Sequence, residues 1–499
     1  MAALSLAADL GLGQEMEHGL RACLIATRLA ERIELDQRTR DDIYWVSLLA
    51  MAGCTADSHE MSRVWGDDLA LRAGMFEAGP SEFEMARYFL SRAGSDGGTA
   101  RRVRSGTRLL TSGMRAVVES MTTHCQVTGT LAEELRFGPG VSTPLRHTFA
   151  RWDGKGVPRG LRGEAIAIAA RVFAVANYLE VAHRRGGIDT AIAFGRRFAR
   201  SVLDPDIVEL LARDASEIFG EPDEPSWEAV LAAEPGARPR LIGEQFETVL
   251  SAIGDFADLK SPWFSGHSRR VADLAVNAAG LLGLPADDIT RLRRAAFVHA
   301  VGRAGVPNTV WDKTGPLTIA ERERMQLYAY YTDRILRRGS LTDLASLASA
   351  SHERLDGSGY PHGLDGSALD PAARVLAAAD VYDALTSPRP QRAALSTTQA
   401  VEHLTKECRH GRLDTAAVDA VRTAVGHGPA PRPSAPAELT PREVEVLRLI
   451  AIGHTTAQVA QALTISPKTA DHHIQHIYAK IGASNRSVAT MFAMRHRLV

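Results

Sequence analysis

Three histidines and one aspartate in the second half of the chain, His267, His299, His352 and Asp380, are of the types that bind divalent transition metals. Neutral imidazoles joined by a carboxylate suit such ions, and helices that pack side by side can bring distant residues of this kind together. His352 stands directly before a turn built by Asp356, Gly357, Gly359 and Pro361. Glycines and a proline at this density demand positive φ or a fixed bend, so a rigid loop follows the histidine. Arg303, Arg389 and Arg392 lie in the same region and offer guanidinium forks for a phosphate. Taken singly, each candidate ligand has a plainer reading. His267 fits a helix surface, His299 a core histidine bonded to a backbone carbonyl, and Asp380 an ion pair with Arg374 or Arg389. The set is enough for one divalent ion, and a site with no ion stands beside that reading.

A second kind of chemistry is written in the last sixty or so residues. Thr440 supplies an N-cap, Pro441 the first helical position, and Glu443 the capping-box partner three residues on. Val444, Leu447 and Ile450 then recur at helical spacing, and Gly453 closes the run. A second helix starts at Thr455 or Thr456 with Val459, Ala460 and Leu463 inward, and Ser466 and Pro467 open a third. In that third helix the spacing predicts Thr469, His473, Ile477 and Ile481 on one stripe, with Lys468, Asp471, His472 and Gln475 on the outer face. This is the layout of a recognition helix: Gln can pair with adenine and Asp can accept from cytosine N4 in the major groove. Double-stranded DNA is the expected partner. A helical protein-interaction module is the alternative.

The elements that must position these residues come from an internal repeat. Residues 153–177 align without gaps on 356–380, a shift of 203. Residues 18–36 align on 267–285, and 47–53 on 296–302, both at a shift of 249. The body is therefore a tandem duplication whose first copy carries 249 − 203 = 46 additional residues, including the Gly-rich SRAGSDGGTA. In the first copy the ligand positions read His18, Ala50, Phe149 and Asn177, so only His18 remains. His124 and His147 are read there as ordinary surface or core residues. Alanine-rich segments with apolar residues three and four apart dominate, and alternating strand patterns are missing, so both copies are expected to be helical. The expected layout is a first copy over 1–219, a connector over 220–240, a second copy over 241–425, a Pro-rich extended tether over 426–438, and a four-helix tail over 439–499.

With 58 Lys and Arg against 59 Asp and Glu, the chain does not coat nucleic acid along its length, and any DNA contact belongs to the basic tail. Cys23, Cys54, Cys125 and Cys408 lack metal or redox spacing and read as small apolar residues of a reducing compartment. No apolar run reaches the length of a membrane span and no basic leader opens the chain, so the expectation is a cytoplasmic protein without a membrane partner.

Two resemblances sharpen these readings. Residues 241–425 resemble the HD-GYP family through HSRRVADLA, HAVGRAGVP, LT..E, HERLDGSGYP and ARVLAAADVYDALTSPRP. That resemblance implies a helical metal-dependent phosphohydrolase that typically opens cyclic di-GMP. It also implies a bridging aspartate where this chain has Ala300, a lysine at Arg303, and histidines at Tyr328 and Ser351. The tail, through LTPRE, S.KT, His473, Lys480, Asn485 and Arg486, is similar to the LuxR-type helix-turn-helix. By that resemblance Lys468, Thr469 and Lys480 lie at or near phosphate, and Asp471 departs from the usual recognition face. The fold class expected is all-α, two tandem HD-like domains followed by a four-helix tail. The function expected is a transcriptional regulator whose HD-GYP-like body senses a small molecule or nucleotide and forms a homo-oligomer. The alternative is a metal-dependent phosphohydrolase with a regulatory tail.

Overall fold

The structure, a computed structural model, describes residues 1–92, 114–221, 225–236, 241–338, 341–426 and 436–499. These residues are helical, with isolated bridges but no strand among them. Local chemistry sets the helix starts. Asp36 and Asp370 accept from the third backbone N–H of their helices, and Pro371 fills a first-turn position. Thr318 with Glu321, and Ser396 with Gln399, form reciprocal capping boxes.

The chain divides into two compact units, Met1–Arg240 and Leu241–Val499. Within the first, the stretch expected to be a connector contains the helix Ser226–Ala232, whose Trp227 and Val230 are buried. Tyr44 donates to the Val230 carbonyl at 2.9 Å, so this segment packs into the first unit. Two bulky apolar residues outweigh its acidic, Pro-rich flanks. Three helices, Ser58–Trp65, Asp68–Ala78 and Glu82–Arg92, occupy much of the additional sequence. Most of the Gly-rich stretch after them lies outside the described residues.

The two copies share close backbone approaches. A Cβ on Gly302 would lie 2.1 Å from the Tyr328 carbonyl oxygen and 2.9 Å from Thr332 Oγ1. A Cβ on Gly53 would lie 2.5 Å from the His124 carbonyl oxygen and 2.6 Å from Thr128 Oγ1. His124 therefore occupies in the first copy the place that Tyr328 occupies in the second, an equivalence hidden in sequence by the change of shift. Both Gly-rich loops contain a cis proline bond, Val157–Pro158 and Tyr360–Pro361.

The tail forms four helices, Pro441–Ala451, Thr456–Leu463, Pro467–Ile481 and Arg486–Arg495. Thr440 and Thr455 make complete capping boxes with Glu443 and Gln458, and Ser466 caps the third helix. The buried stripe of the third helix is Ala470, Ile474 and Ile477, not the stripe through Thr469 and His473. Thr469 instead donates its backbone N–H to Ser466 Oγ in the exposed first turn. In the first tail helix Val446 joins Leu447 and Ile450 in the core, while Val444 is half-buried. Most of the expected tether, 427–435, lies outside the described residues. The tail itself rests on the second copy: Ser265 Oγ donates to the Ala451 carbonyl at 2.7 Å, and Arg497 reaches Asp273 at 3.4 Å.

Candidate functional site

His267 opens the helix His267–Leu281 and His299 ends the helix Ala286–Val298. Asp380 lies within Pro371–Thr386, and His352 ends a short 3-10 turn. The four meet. His267 Nε2 is 3.0 Å from Asp380 Oδ1, His299 Nε2 is 3.4 Å from the same oxygen, and the two Nε2 atoms are 3.2 Å apart. All three residues are almost fully buried. His352 Nε2 lies 3.3 Å from the other Asp380 oxygen.

The far sides of the His267 and His299 imidazoles are fixed. His267 Nδ1 bonds to Asp383 Oδ2 at 2.7 Å, and His299 Nδ1 to the Ala296 carbonyl at 2.7 Å. Anchoring the Nδ1–H leaves Nε2 directed at a common point, which is how metal-binding histidines are oriented. Three ligand atoms at roughly 2.0–2.2 Å from one ion stand about 3.0–3.5 Å from each other, so the triangle fits a single divalent ion. A second ion has less support: Ala300, fully buried, gives no carboxylate, and the Tyr328 hydroxyl hydrogen-bonds to His352 Nε2. Burial works to raise the Asp380 carboxyl, but bonds with His267 and His299 and the nearby His352 hold it well below its usual range. Burial lowers His352 to about 3, against the pull of Asp380. Asp380 pairs with neither Arg374, which reaches Asp414, nor Arg389.

Arg303 competes for the same point. Its Nη2 is 2.9 Å from His267 Nε2 and its Nη1 is 3.5 Å from Asp258. It is 4 % exposed, and its Nε and Nη1 have no hydrogen-bond partner. Buried donors left open in this way cost stability unless something accepts from them. Arg389 approaches the same Phe264 ring as Arg303, at 4.7 and 4.3 Å from the centroid. Burial first, then the charge of Arg303, lowers Arg389 to about 10. Arg392 is separate: it closes its own turn on the carbonyls of Ala384 and Leu385.

Asp383 was not singled out from the sequence, yet it holds both His267 and Arg270, the latter at 2.7 Å. Its signal is the three-residue spacing from Asp380, mirrored by Asn177 and Glu180 in the first copy. There His18 Nδ1 bonds to Glu180 at 2.5 Å and Nε2 to Asn177 Oδ1 at 3.0 Å. A cavity of about 70 Å³ lies nearby, lined by Met51, Met61, Met75, Met121, His124 and Phe149 among others. Its lining is largely apolar and includes Met51, His124 and Phe149, the counterparts of Ala300, Tyr328 and His352.

In the tail, Lys468, Thr469, Asp471, His472 and Gln475 are exposed on the third helix. Lys480 is partly withdrawn, its Nζ 2.8 Å from Glu443. Glu443 also binds His476 at 3.0 Å and caps its own helix.

Residues 111–199 and 252–417 match the HD domain family, and residues 437–493 match the luxR family of bacterial regulatory proteins. The chain belongs to the HD-domain family and carries a luxR-type domain at its end. It is 31% identical over 433 residues, 85% of this chain and 94% of the relative, to the 3'3'-cGAMP-specific phosphodiesterase 3 of Vibrio cholerae. The cyclic di-GMP phosphodiesterase of Thermotoga maritima is 33% identical over 29% of this chain and 39% of its own length. A crystal structure of a cyclic GMP-AMP specific phosphodiesterase of V. cholerae superposes with a TM-score of 0.59 at 27% identity, covering 86% of this chain and 97% of that one. The helical HD architecture and the helical tail are thus as the sequence implied. No described helix is long and apolar enough to cross a membrane.

Proposed function

We propose that the chain is a cytoplasmic transcriptional regulator that binds double-stranded DNA through its tail, as a homo-oligomer on paired half-sites, and senses a cyclic dinucleotide in its second HD copy. The observation carrying this is Arg303. A buried guanidinium whose Nε and Nη1 make no hydrogen bond, with Asp258 at 3.5 Å as its counter-ion, lies against the metal-type cluster beside Arg389, where a phosphodiester oxygen would accept from both arginines. The relatives named for cyclic dinucleotide hydrolysis supply the ligand class. His267, His299 and Asp380 would hold one divalent ion, which polarises a phosphoryl oxygen when bound. Asp383 orients His267, Tyr328 ties His352, and the buried methyl of Ala300 supplies no ligand for a second ion. On this reading binding outlasts hydrolysis.

Hydrolysis is the second reading, favoured by the near-equilateral His267–His299–Asp380 triangle. Calorimetry and product analysis with 3',3'-cyclic GMP-AMP and cyclic di-GMP, in Mn²⁺, separate the two. Sensing predicts micromolar or tighter binding with intact ligand recovered. Linear product that disappears in Asp380→Asn establishes the enzyme instead. For the tail, Lys468→Ala should weaken DNA binding on every sequence and lower its salt slope, whereas Gln475→Ala should relax preference at one base pair.

A further inference from the structure

Six residues, Ser261–Gly266, stand between the arginine pair and the tail. On the inner side, Phe264 is buried, with the guanidinium carbons of Arg303 and Arg389 over its ring. Arg389 also donates to the Trp263 carbonyl at 3.1 Å, and Trp311 meets Phe264 edge-on at 5.2 Å. On the outer side the same six residues seat the tail. Ser265 Oγ holds the Ala451 carbonyl, and a Cβ on Gly453 would come within 2.7 Å of the Pro262 ring. A Cβ on Gly266 would come within 2.7 Å of the Val499 carbonyl oxygen. The next residue along the chain is His267. Contacts to the arginine pair, at Trp263 and Phe264, are thus flanked by contacts to the tail at Pro262, Ser265 and Gly266.

We propose that Ser261–Gly266 couples the Arg303–Arg389 pair to the seat of the helix-turn-helix, so that a phosphodiester anion bound by the two arginines loosens the docked tail. This rests on the ligand class argued above only for its trigger. Two guanidiniums sharing one ring repel each other, and an anion that accepts from both relieves this and draws them from Phe264. Phe264 then loses its cationic partners and Trp263 loses its donor, while Pro262 and Ser265, on either side, carry the change to Gly453 and Ala451. Coupling of this kind is reciprocal, so undocking the tail must also alter the surroundings of Arg303 and Arg389.

The test is hydrogen exchange on the full-length protein, read peptide by peptide. Without ligand, Gly453→Val drives a side chain into Pro262, and Ser265→Ala removes the other anchor more gently. Both should speed exchange at least fivefold in peptides covering 300–306 and 385–392, which carry Arg303 and Arg389. Unchanged exchange there in both variants overturns the coupling. With cyclic di-GMP added to the wild-type chain, exchange should rise at least fivefold in 448–453 and 495–499, and Phe264→Leu should keep binding while losing that response. Calorimetric binding with no change in the tail also overturns it. A chain that binds no cyclic dinucleotide sinks the sensing proposal, while the ligand-free variants still decide whether pocket and tail are coupled.

Discussion

The two HD copies share a frame and differ in what that frame holds. In the second, His267 is oriented by Asp383, which is gripped by Arg270 at 2.7 Å; in the first, His18 is oriented by Glu180, which is gripped by Arg21 at 2.6 Å. Asp258 accepts from the Ser268 backbone N–H, as Asp9 does from that of Gly19. Next to these pairs the second copy gathers His299 and Asp380, and the first has Ala50 and Asn177. The orienting shell is thus a structural unit separable from the ligands. A buried acid, an arginine and a histidine satisfy one another without an ion, so their presence says scaffold, and only the convergence of a second imidazole and a carboxylate says site.

The largest expected contrast is in metal binding. His267→Ala should weaken Zn²⁺ or Mn²⁺ binding at least 100-fold by equilibrium dialysis, whereas His18→Ala should leave metal content unchanged. Equal losses from both would erase the distinction between the copies. Next, Ala300→Asp combined with Tyr328→His should raise elemental stoichiometry from one ion per chain toward two, since it supplies a carboxylate and an imidazole where the cluster is open. The shared frame is probed by Gly302→Ala and Gly53→Ala, each expected to cost on the order of 1–3 kcal/mol in denaturant unfolding because a methyl group meets backbone.

The smallest effect is a slope with pH. Burial raises Asp9 to about 7, with the positive charge of His18 opposing. A carboxyl raised on folding binds its proton more tightly in the native state, so its contribution is complete below about 4 and is lost as pH climbs to 7. Glu180, lowered to about 2 by His18 and Arg21 against its burial, acts oppositely, and its contribution is present above about 4.5 and lost toward pH 2. His124, lowered to about 4 by burial, works against Asp9 over the same window, so the readout is a difference: between pH 4 and 7 the melting temperature of Asp9→Asn should rise relative to that of the unaltered chain.

Much of this was legible in the residue order because the signals are local. Capping boxes at Thr440 and Thr455, the Ser466 cap and the glycine-proline loops each depend on neighbours within a few positions. The recognition-helix stripe was misplaced by one residue because Ile477 and Ile481 fix only one end of it. Ala470, too small to signal burial, marks the other. His124 and Tyr328 correspond in space at a shift of 204, one residue off the 203 of the aligned loop, and that single-residue slip hides the match in sequence. The seat of the tail on Pro262 and Ser265 has no local signature at all, being a contact between segments nearly two hundred residues apart.

Glu443 gives the tail a mechanical property. One carboxylate caps the first helix, pairs with Lys480 near the end of the third and binds His476 between them. The first and third helices of the tail are thereby braced together as one stiff body, which meets Pro262 at Gly453. The recognition helix, 15 residues long, extends about 22 Å. A tilt of roughly ten degrees about the near end of that helix swings its far end by about 4 Å, close to the ~3.4 Å spacing of successive base pairs. Under the proposed coupling, a tilt of that size at the seat on Pro262 would shift the third helix by about one rung of the duplex.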